Sequence, residues 1–467
     1  MNINKEIQNN KDTYLNELFE LLRIPSISTD KAFYQEIKEV AKLFKKALLK
    51  VCDKVNIYQT SGNPIVYGEK IIDPNAPTIL VYGHYDVQPA NANKWGSKPF
   101  EPIIKTTSIH PEGAIFARGV SDDKGQVFMH IKALELILKT GKLKCNIKFI
   151  IEGEEEIGSK SIIEFVRNNK ELLVNDVILI SDTVIINKNT PSITTGLRGL
   201  TYLELTVKGP DKDLHSGLYG GVIANPIYVL AEIISKLKDD DNKITIPNFY
   251  DNVEEVSMNE RKEMSKSHFD INNLMAEAKV HDIDKEKGYT PFEQLSIRPS
   301  LNINGIYGGY TGEGGKTIVP SYAKAKISMR LMPNQNYKEV AEMFSDYVKE
   351  LAPKSVKVKV DFLQGCNGYS TSILTKEYLS IKEAFKKVYG KNPIPQRNGG
   401  SLPIVSVFEE ELKSKSILMG FGLNSDNVHS ANEHFGIDIF LKGIEVIYYS
   451  YLFLSDKNEV TPINKKG

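Results

Sequence analysis

The sequence predicts an α/β protein in which a mainly parallel sheet, flanked by helices, is interrupted by a smaller α+β domain. Over the first 200 residues, short apolar runs typical of buried strands alternate with helical patterns. After residue 199 the pattern changes to one typical of half-exposed strands, and α/β alternation returns from residue 364. We therefore expect a main domain of residues 1–199 and 364–467 around an inserted domain of residues 200–363.

Three segments of the first part are typical of buried strands that end in acids or histidine: PTILVYGHYD (77–86), CNIKFIIEGEEE (145–156) and DVILISD (176–182). Between the first two, residues 122–140 carry Val127, Ile131, Leu134 and Leu138 at helical spacing. Asp122 or Asp123 is a candidate cap for this helix. The strand–helix–strand order predicts parallel strands with helices on both faces.

The inserted domain is predicted to combine half-exposed strands with two helices. Its strands are LTYLELTVKG (200–209), AKAKISMRL (323–331) and SVKVKVDFL (355–363), and its helices are NPIYVLAEIISKLK (225–238) and YKEVAEMFSDYVKEL (337–351). The charged residues 236–287 are expected to be irregular or partly helical. The last part of the main domain is predicted to contain helices 377–390 and 437–453 and strand 416–422.

The composition limits the partners and the compartment. Lys plus Arg equals Asp plus Glu at 59 each, so the charge balance gives no reason to expect nucleic acid or an anionic membrane as a partner. No apolar run approaches the roughly 20 residues of a membrane helix. The N-terminal residues lack a signal-peptide pattern, and the three cysteines are scattered without Cys-x-x-Cys spacing, which favours a cytoplasmic protein.

Acids and histidines stand where strands of the predicted sheet end, the edge at which open α/β sheets bind ligands. These residues are His84, Asp86, Asp122, Asp123, Glu152–Glu156, Asp182 and His429. Imidazole and carboxylate suit divalent metals such as zinc or manganese. Their number supports two metal ions that share a bridging carboxylate and activate a water nucleophile.

Each of these residues, taken alone, has a simpler explanation. For His84, a hydrogen-bonded structural role is about as good an explanation as a role as metal ligand. Asp86 lies two residues further on, so it would face the same side and orient the His84 ring. The Asp122-Asp123 pair is typical of a helix cap, Glu154–Glu156 of a solvated turn, and Asp182 of a loop. The coincidence of all of them at one sheet edge favours the metal site.

Motifs spread over nearly the whole chain resemble those of one family. In order they are GHYDVQP (83–89), Trp95 with PFEP (99–102), ARGVSDDKG (117–125), EGEEEIGS (152–159), Asp182, GLRG (196–199), LHSG (214–217) and HSANE (429–433). The sequence is similar to the dinuclear metallopeptidases, which include carnosinase-like dipeptidases, aminoacylases and succinyl-diaminopimelate desuccinylase. GGSLPI (399–404) and the chain length most resemble the dipeptidase branch of the cytosolic nonspecific dipeptidases.

The resemblance implies a role for each residue of the metal site. One metal would be held by His84, Asp122 and Asp182, and the other by Asp122, Glu156 and His429. Asp122 would be the bridging ligand, with a cis peptide bond to Asp123. Glu155 would be the general base, whereas Glu154 falls at a variable position of the motif. All five ligand positions of the family are occupied by conforming residues.

The resemblance also implies roles for residues of the inserted domain. His215 of LHSG would stabilise the oxyanion from the partner subunit of a homodimer, which makes the inserted domain a lid and dimerisation module. Arg330, Ser401 and Gly400 would bind the substrate carboxylate. From the residues alone, a surface loop histidine is the favoured explanation of His215, and an exposed strand arginine explains Arg330 equally well. A plain turn is the alternative for Gly400 and Ser401.

The predicted function is hydrolysis of dipeptides or short peptides by a metallopeptidase with two zinc or manganese ions per subunit. The alternative is an N-acyl-amino-acid amidohydrolase that uses the same metals and base. A non-catalytic protein of this fold would be expected to have lost Glu155, a metal ligand or His215, and none is missing. A structural protein with surface acids does not explain the order of the motifs.

Overall fold

A computed structural model describes residues 2–267 and 269–455. The chain divides into two compact units. The first unit consists of Met1–Thr195, Thr371–Gln396 and Val407–Gly467, and the second of Gly196–Ser370 and Arg397–Ser406. The short segment Arg397–Ser406 therefore returns to the second unit after the chain has re-entered the first.

The strands of the described residues are β1 (Lys54–Tyr58), β2 (Ile65–Lys70), β3 (Thr78–His84), β4 (Ile103–Lys105), β5 (Ala114–Phe116), β6 (Asn146–Glu152), β7 (Val177–Ile180), β8 (Ser192–Leu197), β9 (Gly199–Lys208), β10 (Leu214–His215), β11 (Ser300–Gly308), β12 (Ile318–Val319), β13 (Tyr322–Leu331), β14 (Lys357–Cys366), β15 (Tyr369–Ser370), β16 (Ile394–Asn398), β17 (Lys415–Leu418) and β18 (His434–Gly436).

The α-helices of the same residues are α1 (Ile3–Asn9), α2 (Lys11–Leu22), α3 (Tyr34–Leu48), α4 (Lys124–Thr140), α5 (Lys160–Asn168), α6 (Ser216–Tyr219), α7 (Pro226–Ser235), α8 (Met258–Met264), α9 (Ile271–Ala278), α10 (Pro291–Ser296), α11 (Tyr337–Leu351), α12 (Lys376–Tyr389), α13 (Pro403–Leu412) and α14 (Ile437–Leu454). None of the described helices is long and apolar enough to cross a membrane.

The main sheet of the first unit has the order β1-β2-β6-β3-β7-β17-β8. Its centre, β6-β3-β7-β17, is parallel, which confirms the strand–helix–strand prediction. The edges differ, because β1, β2 and β8 pair antiparallel to their neighbours. The central strands are buried on both faces, as their continuous apolar runs require, and helices such as α4 and α14 pack into the same core.

The second unit is built on an antiparallel sheet of order β11-β13-β9-β14. In β9 buried residues alternate with half-buried ones, as predicted for a strand with one covered face. Helices α7 and α11 pack on this sheet, and Pro226 opens α7 at a position that needs no backbone donor. The charged segment 236–287 is partly helical through α8 and α9, which also agrees with the prediction.

A buried histidine in α4 makes the stability of the first unit dependent on pH. His130 lies between the hydroxyls of Ser181, 2.7 Å from its Nε2, and Tyr451, 3.0 Å from its Nδ1. Burial lowers the pKa of His130 to about 3. In the unfolded chain His130 takes up a proton near pH 6.5, whereas in the folded chain it stays neutral. Its contribution to the unfolding free energy is therefore complete above pH 6.5 and is lost as the pH falls.

We therefore expect wild type to lose about 2 kcal/mol of unfolding free energy relative to His130→Leu between pH 7 and pH 5. Urea unfolding of both proteins at a series of pH values measures this difference, in which the titrations of other groups cancel. A difference that stays constant over this range would contradict the assignment.

Candidate metal centre

The candidate ligands converge because neighbouring parallel strands end at one edge of the sheet. His84 is the last residue of β3, and Asp182 follows β7 by two residues. Glu155 and Glu156 lie in a short turn after β6, and His429 lies in the loop after β17. His429 has a left-handed backbone, with φ of 61°, in this loop.

The first group of ligand atoms belongs to His84, Asp122 and Asp182, which each offer an atom within 4.8 Å of the others. The Nε2 of His84 lies 2.9 Å from Asp122 Oδ1 and 3.8 Å from Asp182 Oδ2. Burial opposes a charge on His84, but its contacts with Asp122 and Asp86 raise its pKa well above the usual value. The surrounding acids therefore favour positive charge at this position.

The second group consists of Asp122, Glu156 and His429, again with ligand atoms within 4.8 Å. The Nε2 of His429 lies 2.9 Å from Asp122 Oδ2 and 3.1 Å from Glu156 Oε2. These two carboxylates raise the pKa of His429 to about 10. Asp122 thus presents one oxygen to each group. Its peptide bond to Asp123 is cis, as predicted.

Asp86 supports this centre in two ways. Its backbone oxygen lies 3.0 Å from Nδ1 of His84, and its Oδ1 lies 3.4 Å from the same nitrogen. The ring is therefore held with Nε2 facing the other ligands. The carboxylate also accepts the backbone N–H groups of Glu155 and Glu156, each at 3.2 Å, and so fixes the turn that carries both residues.

We expect Asp86→Asn to weaken metal binding about 10- to 100-fold while the fold is retained. An amide offers one acceptor oxygen instead of two, so the turn at Glu155 should also loosen and kcat should fall. Titration with zinc or manganese measures the metal affinity, circular dichroism the retention of the fold, and steady-state kinetics the fall in kcat. Unchanged metal affinity would show that Asp86 does not act through the ligand ring.

Glu155 is half-buried beside both ligand groups. Burial, followed by the nearby Asp182, Asp122 and Glu156 carboxylates, raises the pKa of Glu155 to about 9 despite the opposing effect of His84. Burial and Asp122 likewise raise the pKa of Asp182 to about 7. Without cations this cluster is thus expected to hold protons at neutral pH, and cation binding would release them.

Two neighbouring acids have other tasks. Asp123 occupies the cap position of α4, but its side chain does not cap the helix; it accepts the backbone N–H of His84 at 3.2 Å. Glu154 is not in a solvated turn. It is buried and accepts the backbone N–H groups of Asn63 at 2.8 Å and Ser161 at 2.9 Å, so it holds two loops together.

Glu433, which organises the loop before α4, was not predicted from the sequence. Its carboxylate, fully buried, accepts the backbone N–H groups of Gly119, Ser121 and Asp122 and pairs with Arg118 at 2.7 Å. Its place in HSANE was the available indication. Gln88 was missed in the same way; its amide donates to Glu156 Oε2 at 2.8 Å.

The remaining predicted residues belong to the second unit. His215 is exposed, and its Nδ1 accepts the backbone N–H of Gly217 at 3.0 Å. This leaves the proton on Nε2, which can act as a donor. His215 ends β10, which pairs with β12.

Arg330, Ser401 and Gly400 lie together around Arg198. Arg330 Nη1 donates to Ser401 Oγ at 2.8 Å, Ser401 Oγ donates to the backbone oxygen of Arg198 at 2.6 Å, and Gly400 accepts the Arg198 N–H at 3.2 Å. Burial and the nearby Arg330 lower the pKa of Arg198 to about 10. Two guanidinium groups without an intervening anion repel each other, so a carboxylate would be favoured here.

The residues of the two ligand groups fit divalent cations. Each group combines imidazole with carboxylate, the donor set of zinc and manganese rather than of calcium or magnesium. The ring of His84 is oriented through its second nitrogen, and Glu156 through Gln88, as is usual for metal ligands. The shared Asp122 is the arrangement of a two-metal site.

Comparison with known proteins gives consistent results. The sequence profile described as peptidase family M20/M25/M40 matches residues 80–451. The Cys-Gly metallodipeptidase dug1 of Schizosaccharomyces pombe is 33% identical over 460 residues, covering 94% of this chain and 95% of its own. The human Beta-Ala-His dipeptidase is 31% identical, covering 83% of this chain and 77% of its own.

A solved structure extends the similarity to the fold. The metallo-carboxypeptidase Sso-CP2 from Sulfolobus solfataricus is 32% identical and superposes with a TM-score of 0.79. The alignment covers 94% of this chain and 99% of that one.

Proposed function

Because the chain belongs to the M20/M25/M40 peptidase family, we propose that it hydrolyses the peptide bond of dipeptides and other short peptides with two divalent cations per subunit. The observation that carries the proposal is the position of Asp122, whose two oxygens face two separate ligand groups. The dipeptidase names of the S. pombe and human relatives support the substrate class.

The residues that would hold the cations are His84, Asp122 and Asp182 for one, and Asp122, Glu156 and His429 for the other. The donor set favours zinc or manganese. Bound cations would supply a water nucleophile at neutral pH and a Lewis acid for the scissile carbonyl. Asp86 holds the His84 ring and the Glu155 turn in place for this purpose.

Glu155 is proposed as the general base and acid. It lies beside both ligand groups in a half-buried position where a carboxylate retains a proton readily, as its raised pKa indicates. Bound cations would lower that pKa toward neutrality, the range in which a general base works best. Glu155 would take the proton of the attacking water and deliver it to the leaving amine, so that the proton never has to leave the site.

Arg330, Arg198, Ser401 and Gly400 are proposed to bind the substrate carboxylate. A carboxylate near Arg330 would relieve its repulsion with Arg198, and the Arg330 guanidinium, already held by Ser401, offers a fixed fork of donors. Binding at the free carboxylate would favour substrates with an unblocked C-terminus.

His215 is proposed to stabilise the oxyanion in the partner subunit of a homodimer. Its exposed Nε2–H is a suitable donor for developing negative charge. The segment that follows it in the chain exposes large apolar side chains: Leu218 is 77%, Val222 86% and Tyr228 73% exposed. An apolar surface of this kind is typical of a subunit interface.

A cytoplasmic location is proposed because all three cysteines are buried free thiols.

The proposal is tested by a substrate panel: Cys-Gly, Leu-Gly, a β-alanyl dipeptide, the C-terminal amide of Leu-Gly, an N-acetyl amino acid and N-succinyl-diaminopimelate. Each is incubated with manganese, with zinc and with chelator. Metal-dependent cleavage of the free dipeptides, with little cleavage of the amide, is the expected result. Cleavage of the acylated compounds alone would replace the dipeptidase by the second candidate, a deacylase with the same site.

The dimer proposal predicts that two inactive chains restore activity when mixed. In a hybrid of Glu155→Gln and His215→Ala subunits, one of the two sites contains both Glu155 and the partner's His215. After subunit exchange in equal amounts, we expect about a quarter of wild-type turnover, since half of the dimers are hybrids with one intact site. Each variant mixed only with itself is the control. Absence of restoration after verified exchange would show that His215 does not act across subunits.

A further inference from the structure

A second cluster of metal-binding side chains lies in the first unit, outside the site described above. It consists of His110, Asp426 and His434, of which one ligand atom each lies within 4.8 Å of the others. The side chains are 0%, 0% and 7% exposed. None of the three has a task in peptide hydrolysis as proposed here.

His110 has both ring nitrogens buried and without a hydrogen bond among the described residues. Its Nε2 lies 3.9 Å from Asp426 Oδ1, and its Nδ1 lies 3.6 Å from Asp438 Oδ1. Both distances exceed a hydrogen bond. The ring packs against the backbone of Gly436, where a β-carbon would overlap it. With Nδ1 on the side of the Asp438 carboxylate, the ring turns Nε2 toward Asp426, which is the orientation of a metal ligand.

Asp426 and His434 are each held by hydrogen bonds through one side-chain atom. Asp426 Oδ2 accepts the Ser121 hydroxyl at 3.1 Å and the Leu423 N–H at 2.8 Å, whereas Oδ1 is buried and unpartnered among the described residues. His434 Nδ1 lies 3.0 Å from the backbone oxygen of Asn432, which places its proton there and leaves the Nε2 lone pair available. Asp426 and His434 thus each have one hydrogen-bonded atom and one atom available for a ligand, and both ring nitrogens of His110 are without a hydrogen bond among the described residues.

We propose that His110 Nε2, Asp426 Oδ1 and His434 Nε2 bind a further divalent cation of the zinc type, distinct from the two cations of the hydrolytic site. Two neutral imidazoles and one carboxylate form a usual zinc donor set, with a water as the fourth ligand. Burial lowers the pKa of His434, which keeps it in the neutral form that binds a metal. A bound cation would satisfy His110 Nε2 and Asp426 Oδ1, which are buried and have no hydrogen-bond partner within the described part of the chain.

The cation would have a structural task in the loop between β17 and β18. Asp426 and His434 belong to this loop and its end, and His110 belongs to the loop before β5. The segment between Asp426 and His434 includes His429. Ser121, whose hydroxyl donates a hydrogen bond to Asp426, directly precedes Asp122. Crosslinking these loops through a cation would hold two ligands of the hydrolytic site in place.

The test counts zinc in a protein whose hydrolytic site has been removed. The variant His84→Ala/Asp122→Ala/His429→Ala is dialysed to equilibrium against zinc, and bound zinc is measured by plasma mass spectrometry. We expect this chain, folded by circular dichroism, to bind one zinc ion. Adding His110→Asn should remove that ion, whereas adding His281→Asn at an exposed histidine should leave it bound.

Absence of zinc from the folded triple variant would overturn the proposal, and so would retention of zinc after His110→Asn. If the His110→Asn chain does not fold, X-ray absorption at the zinc edge of the triple variant decides the question. Scattering from two imidazoles supports the site, and a shell of oxygen alone contradicts it. Since these proteins lack His84, His429 and the shared Asp122, neither hydrolytic ligand group is complete, and the outcome is independent of the proposed dipeptidase activity.

Discussion

Replacement of Glu155 by glutamine is expected to lower kcat by about 10²–10⁴-fold without loss of metal. The amide has the size of the carboxylate but cannot take a proton from water or return one to the leaving amine. The ligand atoms belong to other residues, with closest contacts of 2.9 Å from His84 to Asp122 and from His429 to Asp122. Metal content should therefore stay at the wild-type value.

Glu154→Gln is the matched control for this experiment. Glu154 is adjacent in sequence and carries the same group, but it accepts backbone N–H groups of Asn63 and Ser161 instead of facing the ligands. We expect it to lower thermal stability and to leave kcat within a few-fold of wild type. Steady-state kinetics with Leu-Gly and metal analysis of both variants make the comparison. Equal losses of kcat in the two variants would show that Glu155 does not act as the general base.

The parallel centre of the sheet and the positions of the ligand-bearing loops could be predicted, because both depend on local sequence patterns. Continuous apolar runs mark strands buried on two faces, and acids directly after such runs lie at the ligand edge. The antiparallel edges β1, β2 and β8 could not be predicted, since pairing direction at an edge depends on tertiary packing.

Roles that depend on long-range contacts were the hardest to predict. The sequence indicates that Asp86 follows His84 by two residues, but not that its carboxylate accepts two N–H groups from the Glu155 turn. Glu154 looked like part of a solvated acidic run because its partner loop lies about 90 residues away. His110, Asp426 and His434 carry no common spacing, so only the folded chain brings their ligand atoms together.

Replacement of Asp122 by asparagine is expected to remove both cations and reduce turnover to that of the metal-free protein. Asp122 is the only residue that belongs to both ligand groups of the hydrolytic site among the described residues, with one oxygen toward each. An asparagine turns an NH₂ group toward one cation and only an uncharged oxygen toward the other, so both ligand groups lose the negative charge that they share. By contrast, Asp182→Asn should weaken only the group that contains His84.

The neighbouring Asp123→Asn variant distinguishes loss of a ligand from damage to the loop. Burial, with Asp182 and Asp122 nearby, raises the pKa of Asp123 well above its usual value. Asp123 Oδ2 accepts the His84 N–H, and the oxygen of an asparagine can keep this contact, so both cations should remain. Zinc titration of the three variants gives the result directly: retention of the second ion by Asp122→Asn would show that Asp122 does not bridge the two groups, because each cation would then depend on its own ligands alone.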